Sequence, residues 1–148
     1  MNWKEIKLVD QKVYPANSIT IFMMDTATGV PATHWVDKAY TNYAYKEECM
    51  FNCYITVDFT DEFNQLKQPL DNSELEKYFT NNLREVCVCH HIARITTDNG
   101  ISLELYVDDV EAAIKKFNEL ESDQARLVNF NCEINDDPEW NNVAELLN

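Results

Sequence analysis

The clearest pattern in the chain is an alternation of apolar and polar residues over short runs. It is strongest over residues 48–59, and one face of that run holds Cys49, Phe51, Cys53, Ile55, Val57 and Phe59. A period of two predicts a strand with one face on the core. Residues 18–24, which end before Asp25, predict a second strand, and the alternation of Val128, Phe130, Cys132 and Ile134 predicts a last one.

Two other segments repeat their apolar residues at the spacing of a helix. One follows Asp71-Asn72-Ser73-Glu74, which suits a helix start, and its predicted buried stripe is Leu75, Tyr78, Phe79, Leu83 and Val86. The other follows Asp108 or Asp109 as the N-cap, and its predicted buried stripe is Val110, Ala113, Ile114, Phe117 and Leu120. A single helical turn is expected between Asp61 and Leu66.

Between these helices, residues 86–107 predict one long β-hairpin that turns at Asp98-Asn99-Gly100. In one register Thr97 faces Ile101, and Cys87, Cys89 and His91 point toward the core with Leu103, Leu105 and Val107. A two-residue Asn99-Gly100 turn shifts the pairing by one residue and places Val88, His90, Ile92 and Arg94 inside instead. A charged arginine facing the core disfavours this second register.

The two ends of the chain are less regular. Residues 1–16 suit a short strand or a packed arm, and residues 29–45, rich in aromatic side chains, suggest a packed loop. Near the C-terminus, Asp137-Pro138-Glu139-Trp140 predicts a helix with Asp137 as the N-cap and Pro138 at its first position. Leu146 and Leu147 would dock this helix.

Taken together, residues 48–135 read strand, helix, strand, strand, helix, strand. This βαββαβ order is that of ferredoxin-like folds, with both helices on one face of an antiparallel sheet. We predict a single α+β domain over residues 1–148: an N-terminal strand and packed loop (1–47), the βαββαβ core (48–135) and a short C-terminal helix (136–148). Tyr54 and Tyr106 fall on the face away from the helices, where either residues 1–45 or a second copy of the chain would cover them.

The net charge of the chain makes some classes of binding partner unfavourable. The chain has 12 Lys and Arg against 26 Asp and Glu, a net charge of −14. Nucleic acids and anionic membranes attract basic proteins, so neither is expected as a partner. No apolar run reaches the ~20 residues that span a bilayer, and the N-terminus lacks the apolar segment of a signal peptide. We therefore expect a cytoplasmic protein whose acidic surface serves solubility or meets a basic protein.

The sharpest candidate for chemistry is Cys87-Val88-Cys89-His90-His91. Thiolates and imidazoles bind zinc, which makes Cys87, Cys89 and His91 the candidate metal ligands. The one-residue gap between the cysteines is shorter than zinc sites use, and strand alternation turns His90 away from the others. A cysteine nucleophile would need an oxyanion hole that nothing in the sequence supplies. We expect no catalytic residue, no cofactor and no metal, with a metal- or thiol-dependent site around these residues as the alternative.

Two passages carry a family likeness: residues 91–107 (HIARITTDNGISLELYV) and the ending Asp136-Asp137-Pro138-Glu139-Trp140. They resemble the bacterial family known as domain of unknown function 695, whose members carry a glycine-turn hairpin, a helix, a strand and a terminal Asp-Pro-x-Trp segment. The hairpin's second strand is less aromatic here than in that family. The resemblance implies no activity and no catalytic residues.

Some members of that family look related to, or are joined to, domains similar to an acidic protein regulator of ribonuclease E. By fold-level analogy, the resemblance implies a compact acidic module that binds protein. The sequence thus predicts a non-catalytic protein-binding module whose partner is another protein or a second copy of the chain.

Overall fold

The structure, a computed structural model that describes residues 1–148, is built on one six-stranded antiparallel sheet. The strands follow the spatial order β1-β2-β4-β5-β3-β6. Their bounds are β1 Ile19–Met23, β2 Thr33–Asp37, β3 Phe51–Asp58, β4 Cys89–Thr97, β5 Gly100–Val107 and β6 Asn131–Asp136. β1 and β6 are therefore the two edges of the sheet.

Five α-helices and four short 3₁₀ turns complete the fold. The helices are α1 Trp3–Val9, α2 Glu62–Gln65, α3 Asn72–Arg84, α4 Val110–Ser122 and α5 Ala144–Leu147. The 3₁₀ turns are Gln11–Val13, Lys38–Tyr40, Lys46–Glu48 and Asn141–Val143. None of the helices has the length and apolar character that crossing a membrane requires.

The helices α3 and α4 cover one face of the sheet and form the larger core with it. The predicted caps are confirmed: Asp71 accepts the backbone N–H of Ser73 and Glu74, and Asp109 accepts that of Ala112. Their buried residues meet the inward row of β3 and β5: Cys53, Ile55, Val57, Leu75, Phe79, Leu83, Ile101, Leu103, Leu105, Ala113, Phe117 and Leu120. The predicted burial of two stripe residues was wrong. Ile114 is 45% exposed, and Val86 is 40% exposed because it lies beyond the end of α3.

The opposite face of the sheet carries a second core. The N-terminal third of the chain and its last residues cover half of this face, and the buried set includes Val13, Val36, Tyr40, Tyr43, Cys49, His90, Ile92, Tyr106, Trp140, Val143 and Leu147. Residues 1–45 thus cover the Tyr106 half only together with the C-terminal segment, whose Trp140 stacks on Tyr106. The half around Tyr54, Thr56 and Ser102 borders an open groove. Cys49, predicted to share a face with Cys53, lies before β3 and belongs to this second core.

The N-terminal predictions need correction. Residues 3–9 form a helix rather than a strand or arm, and the segment predicted as a packed loop contains β2. Two strands therefore precede β3 where the sequence predicted one. β2 is hard to recognise because two of its five residues are buried polar groups. His34 contacts the Met24 carbonyl at 3.3 Å, and Asp37 accepts the N–H of Ser18 at 2.9 Å.

The hairpin adopts neither of the two registers weighed from the sequence, although each of them gives the correct face for part of β4. Thr97 pairs with Gly100 across a two-residue Asp98-Asn99 turn, so the register that paired Thr97 with Ile101 was wrong near the turn. Arg94 consequently pairs with Leu103 and shares the helix-covered face. Ile92 is an extra residue in β4, and beyond this bulge Cys89 and His91 return to the helix-covered face as predicted, opposite Val107 and Leu105.

The C-terminal helix begins later than predicted. Trp140 has a left-handed backbone (φ 58°), which stops a helix from running through Pro138 and Glu139. Asp137 still caps the segment, because its carboxylate accepts the N–H of Asn141 and Asn142. The docking residue Leu147 is 3% exposed, as the sequence predicted.

Candidate functional site

The two adjacent histidines of the candidate cluster lie on opposite faces of the sheet. His90 faces Tyr106 in the second core, whereas His91 faces α3. The sequence had separated His90 from its neighbours on strand alternation, and the structure confirms this. The two rings therefore take part in two different networks.

His90 is fully buried between two tyrosines. The Tyr40 hydroxyl lies 2.9 Å from Nδ1 and the Tyr43 hydroxyl 3.0 Å from Nε2. Tyr43 donates its proton to the Val13 carbonyl at 2.7 Å, so its oxygen accepts from Nε2–H, and Tyr40 must donate to Nδ1. Every polar atom of the ring is satisfied in the neutral form. Burial, with Arg84 nearby, lowers the pKa of His90 to about 3.

The thiols of the cluster are not poised for reaction. Burial, with Asp108 and Asp109 nearby, raises the pKa of Cys87 to about 12. Burial likewise raises the pKa of Cys89. Both thiols therefore stay protonated at neutral pH, whereas nucleophiles and metal ligands are thiolates.

Nowhere do three His, Cys, Asp or Glu side chains come together in a set that could hold a metal ion. Cys89 and His91 share a face, and His91 lies beside Glu76, with 3.7 Å between Nδ1 and Oε1. The predicted alternative, a metal- or thiol-dependent site, gains no geometric support from this arrangement.

A polar cleft of about 180 Å³ lies between β2 and α3. We call it the β2–α3 cleft, and it is lined by Asn17, Trp35, Asp37, Tyr40, Glu76, Lys77, Thr80, Arg84 and His91. His91 is 9% exposed, and its ring stacks on Trp35 with centroids 4.5 Å apart. Charged and aromatic groups from four parts of the chain thus converge on one small space.

The electrostatics of the cleft centre on Glu76. Its Oε1 accepts a hydrogen bond from Arg94 at 2.6 Å and lies 3.7 Å from His91 Nδ1. His91 donates from Nε2 to the Ala93 carbonyl at 3.0 Å, so Nδ1 carries a lone pair and no hydrogen bond. Burial is the main cause that raises the pKa of Glu76 and lowers that of His91 to about 3. Two hydrogen-bond acceptors therefore face each other across the cleft.

The other unusual surface is the edge strand β1. Ile19, Ile21 and Met23 are 40%, 61% and 69% exposed and project on the same side of the strand. Their partners in β2 are Asp37, Trp35 and Thr33, so this row borders the β2–α3 cleft. We call these three residues the β1 aliphatic row.

The backbone of the same three residues is open. Lys38 N–H donates to the Ser18 carbonyl and Met24 N–H to the Ala32 carbonyl, which fixes the even-numbered residues of β1 as those hydrogen-bonded to β2. The N–H and C=O groups of Ile19, Ile21 and Met23 consequently point away from the sheet. β1 thus offers apolar side chains and unpaired backbone groups at the same residues.

The opposite edge shows how an edge is usually protected. β6 carries Glu133 and Asp136 on its exposed positions, and its apolar side chains Cys132 and Ile134 turn into the core. Charged residues on an edge discourage another strand from pairing with it. β1 has no charge, no proline and no bulge, so it lacks these three protections.

Of the cleft residues, the sequence singled out His91 alone. Glu76 lay within a helix predicted only for its apolar stripe, and Trp35 and Asp37 lay in a segment predicted as a loop. β1 was predicted as a strand, and its uncharged run of residues 18–24 was the one signal of an unprotected edge.

No family model matches the chain, and neither a search of curated proteins nor a search of solved structures finds a match. The resemblance to the domain of unknown function 695 stays a prediction.

Proposed function

We propose that this chain is a non-catalytic module that binds another protein by accepting an extended segment along β1. The observation that carries the proposal is the coincidence of the exposed β1 aliphatic row with the outward backbone groups of the same residues. Strand addition of this kind draws affinity from main-chain hydrogen bonds and specificity from alternate side chains.

Three further features support a binding role. The net charge of −14 favours a basic partner over a second acidic copy of the chain. The buried, protonated thiols and the neutral His90 provide no nucleophile. The predicted resemblance to the domain of unknown function 695 agrees with an acidic protein-binding module, and we place its action in the cytoplasm.

We also infer that β3, α3, β4, β5, α4 and β6 form a ferredoxin-like unit to which β1 and β2 are added. The strand order β4-β5-β3-β6, with α3 and α4 packed on the same face, supports this inference. In that description β1 and β2 extend the sheet beyond the second strand of the unit. The proposed binding edge therefore belongs to the added strands.

The proposal is tested by selecting binders from a random peptide library displayed on phage, with the whole chain as bait. Selected peptides are then measured against Ile21→Lys and against Ile114→Lys, which alters another exposed isoleucine, on the outer face of α4. We expect Ile21→Lys to weaken binding at least about tenfold, because it buries a charge at the edge, and Ile114→Lys to leave binding unchanged.

Amide hydrogen exchange gives a second readout at single residues. In the complex, the N–H groups of Ile19, Ile21 and Met23 should slow, while those of Thr20 and Phe22, already bonded to β2, change little. Peptides that bind Ile21→Lys as tightly as the unaltered chain, or that leave these three amides unprotected, would overturn the proposal.

A further inference from the structure

We infer that the segment accepted by β1 carries a lysine or arginine whose charged head enters the β2–α3 cleft. The inference rests on the proposed function and specifies the chemistry of the partner. It joins two features that the fold places side by side, the β1 aliphatic row and the cleft.

The geometry begins with the pairing of β1 and β2. Ile21 lies opposite Trp35 and Ile19 opposite Asp37, and both of these β2 residues line the cleft. Asn17, just before β1, also lines it. The β1 aliphatic row therefore lies between an added strand and the cleft. Neighbouring strands are about 4.8 Å apart, so one strand spacing separates β1 from the β2 residues that line the cleft.

A long basic side chain fits this path. Residues directly opposite in an antiparallel pair project to the same face, so the residue facing Ile21 or Ile19 projects over the β1 aliphatic row. Lysine and arginine lay their methylene stems along apolar surface and extend the charged head to a polar site. The stem would cover Ile21, and the head would reach the acceptors beyond it.

The cleft offers hydrogen-bond acceptors alongside its basic residues. His91 Nδ1 has no hydrogen bond. Glu76 accepts from Arg94 through Oε1, and Asp37 accepts from Ser18 and Ala39 through Oδ1, so the second oxygen of each carboxylate has no hydrogen bond. The indole of Trp35 also lines the cleft, where it stacks on His91 and lies 5.7 Å from the guanidinium of Arg94. A volume of about 180 Å³ suits one ammonium or guanidinium group, since a water molecule occupies ~30 Å³.

Two basic residues also line the cleft, Arg84 and Lys77, and only the first has partners for its charged group. Arg84 is held, because its Nε donates to the Cys89 carbonyl at 3.0 Å and its guanidinium lies over the Tyr14 ring at 4.5 Å. Lys77 is exposed on α3 and makes no ion pair or hydrogen bond through its ammonium. Lys77 is therefore the cation that an incoming basic head would displace toward solvent.

The test uses peptides already shown to protect the amides of Ile19, Ile21 and Met23. Each Lys is replaced in turn by norleucine and each Arg by citrulline, and Kd is measured calorimetrically for the unaltered chain and for Glu76→Gln. We expect one such replacement to weaken binding about tenfold, the loss typical of a charge-assisted hydrogen bond. The same replacement should matter much less against Glu76→Gln.

Lys77→Gln provides the matched control of opposite sign, since removing the competing cation should strengthen binding of the same peptide. Amide spectra of each variant check that the fold is retained. The inference is overturned if basic residues are dispensable in peptides that still protect β1, or if acidic peptides are preferred; the proposed function then stands.

A second copy of the chain is the competing occupant. Sedimentation that shows a dimer dissociated by Ile21→Lys would also overturn the inference, because the edge would then pair with an uncharged strand. Absence of any peptide that depends on β1 overturns both the inference and the proposed function.

Discussion

The indole of Trp140 lies flat on the phenol ring of Tyr106, with 4.3 Å between the ring centroids. Trp140 is held in its left-handed backbone by this stacking and by a hydrogen bond from its Nε1 to the Cys49 carbonyl at 2.9 Å. Tyr106 donates to Asp137 Oδ2 at 2.7 Å, within the carboxylate that caps the following turn. Tyr106 thus helps to hold the C-terminal segment against the sheet, together with the Cys49 carbonyl.

Tyr106→Phe should destabilise the fold by about 1–3 kcal/mol, because it removes a donor to a buried carboxylate. The matched control is Tyr54→Phe, which changes a partly exposed tyrosine on the same face and should have little effect. Urea unfolding of both variants measures the difference. Equal losses of stability would show that the Tyr106–Asp137 hydrogen bond has no special role.

Acid should destabilise the protein through its buried histidines. The pKa values of His90 and His91 are lowered to about 3 in the folded state, against an ordinary 6.5, so the unfolded chain binds more protons between these pH values. The contribution of the two neutral histidines to the free energy of unfolding is therefore complete above pH ~6.5. It falls as the pH drops toward 3, by up to about 1.4 kcal/mol per pH unit for each histidine.

His90→Gln isolates one of these contributions. The amide can hydrogen-bond to the Tyr40 and Tyr43 hydroxyls, but it does not titrate, so the pH dependence between 3 and 6.5 should become shallower even if the variant is less stable overall. Urea unfolding at several pH values measures the slope. An unchanged slope would mean that His90 accepts a proton in the folded state.

Local sequence patterns were sufficient to predict those helices and strands that are specified by neighbouring residues, such as a cap or a short alternation. Asp71 and Asp109 cap their helices where the pattern predicted, and β3 buries Cys53, Ile55 and Val57 on the predicted face. In each case the signal and the structure it specifies occupy the same stretch of chain.

The missed features depend on partners far away in sequence. The bulge at Ile92 places His90 on the face of Tyr40 and Tyr43 and Arg94 on the face of Glu76. The residues next to Ile92 in sequence do not indicate either contact. The β2–α3 cleft is likewise assembled from four separate parts of the chain. Contacts between residues far apart in sequence depend on the order of the strands in the sheet. They cannot be predicted until that order is known.

The cysteines of the candidate cluster should be unreactive in the folded protein. Because burial raises the pKa values of Cys87 and Cys89, maleimide should label these two thiols only when the chain is unfolded. Mass spectrometry of peptides labelled with and without denaturant measures this, and elemental analysis measures bound zinc. Rapid labelling at Cys87 that stoichiometric zinc prevents would instead support the metal- or thiol-dependent alternative.

The pair of Arg94 and Glu76 explains why a charged residue occupies the helix-covered face. Their side chains are only 15% and 16% exposed, so each would be left as a nearly buried charge without the other. Arg94→Met should therefore destabilise the fold by about 2–4 kcal/mol, whereas adding Glu76→Gln should restore much of that loss. Thermal and urea unfolding of the two single variants and the double variant give the coupling energy. If the double variant loses the sum of the two single losses, the ion pair contributes nothing, and Arg94 is held on this face by the bulge at Ile92 alone.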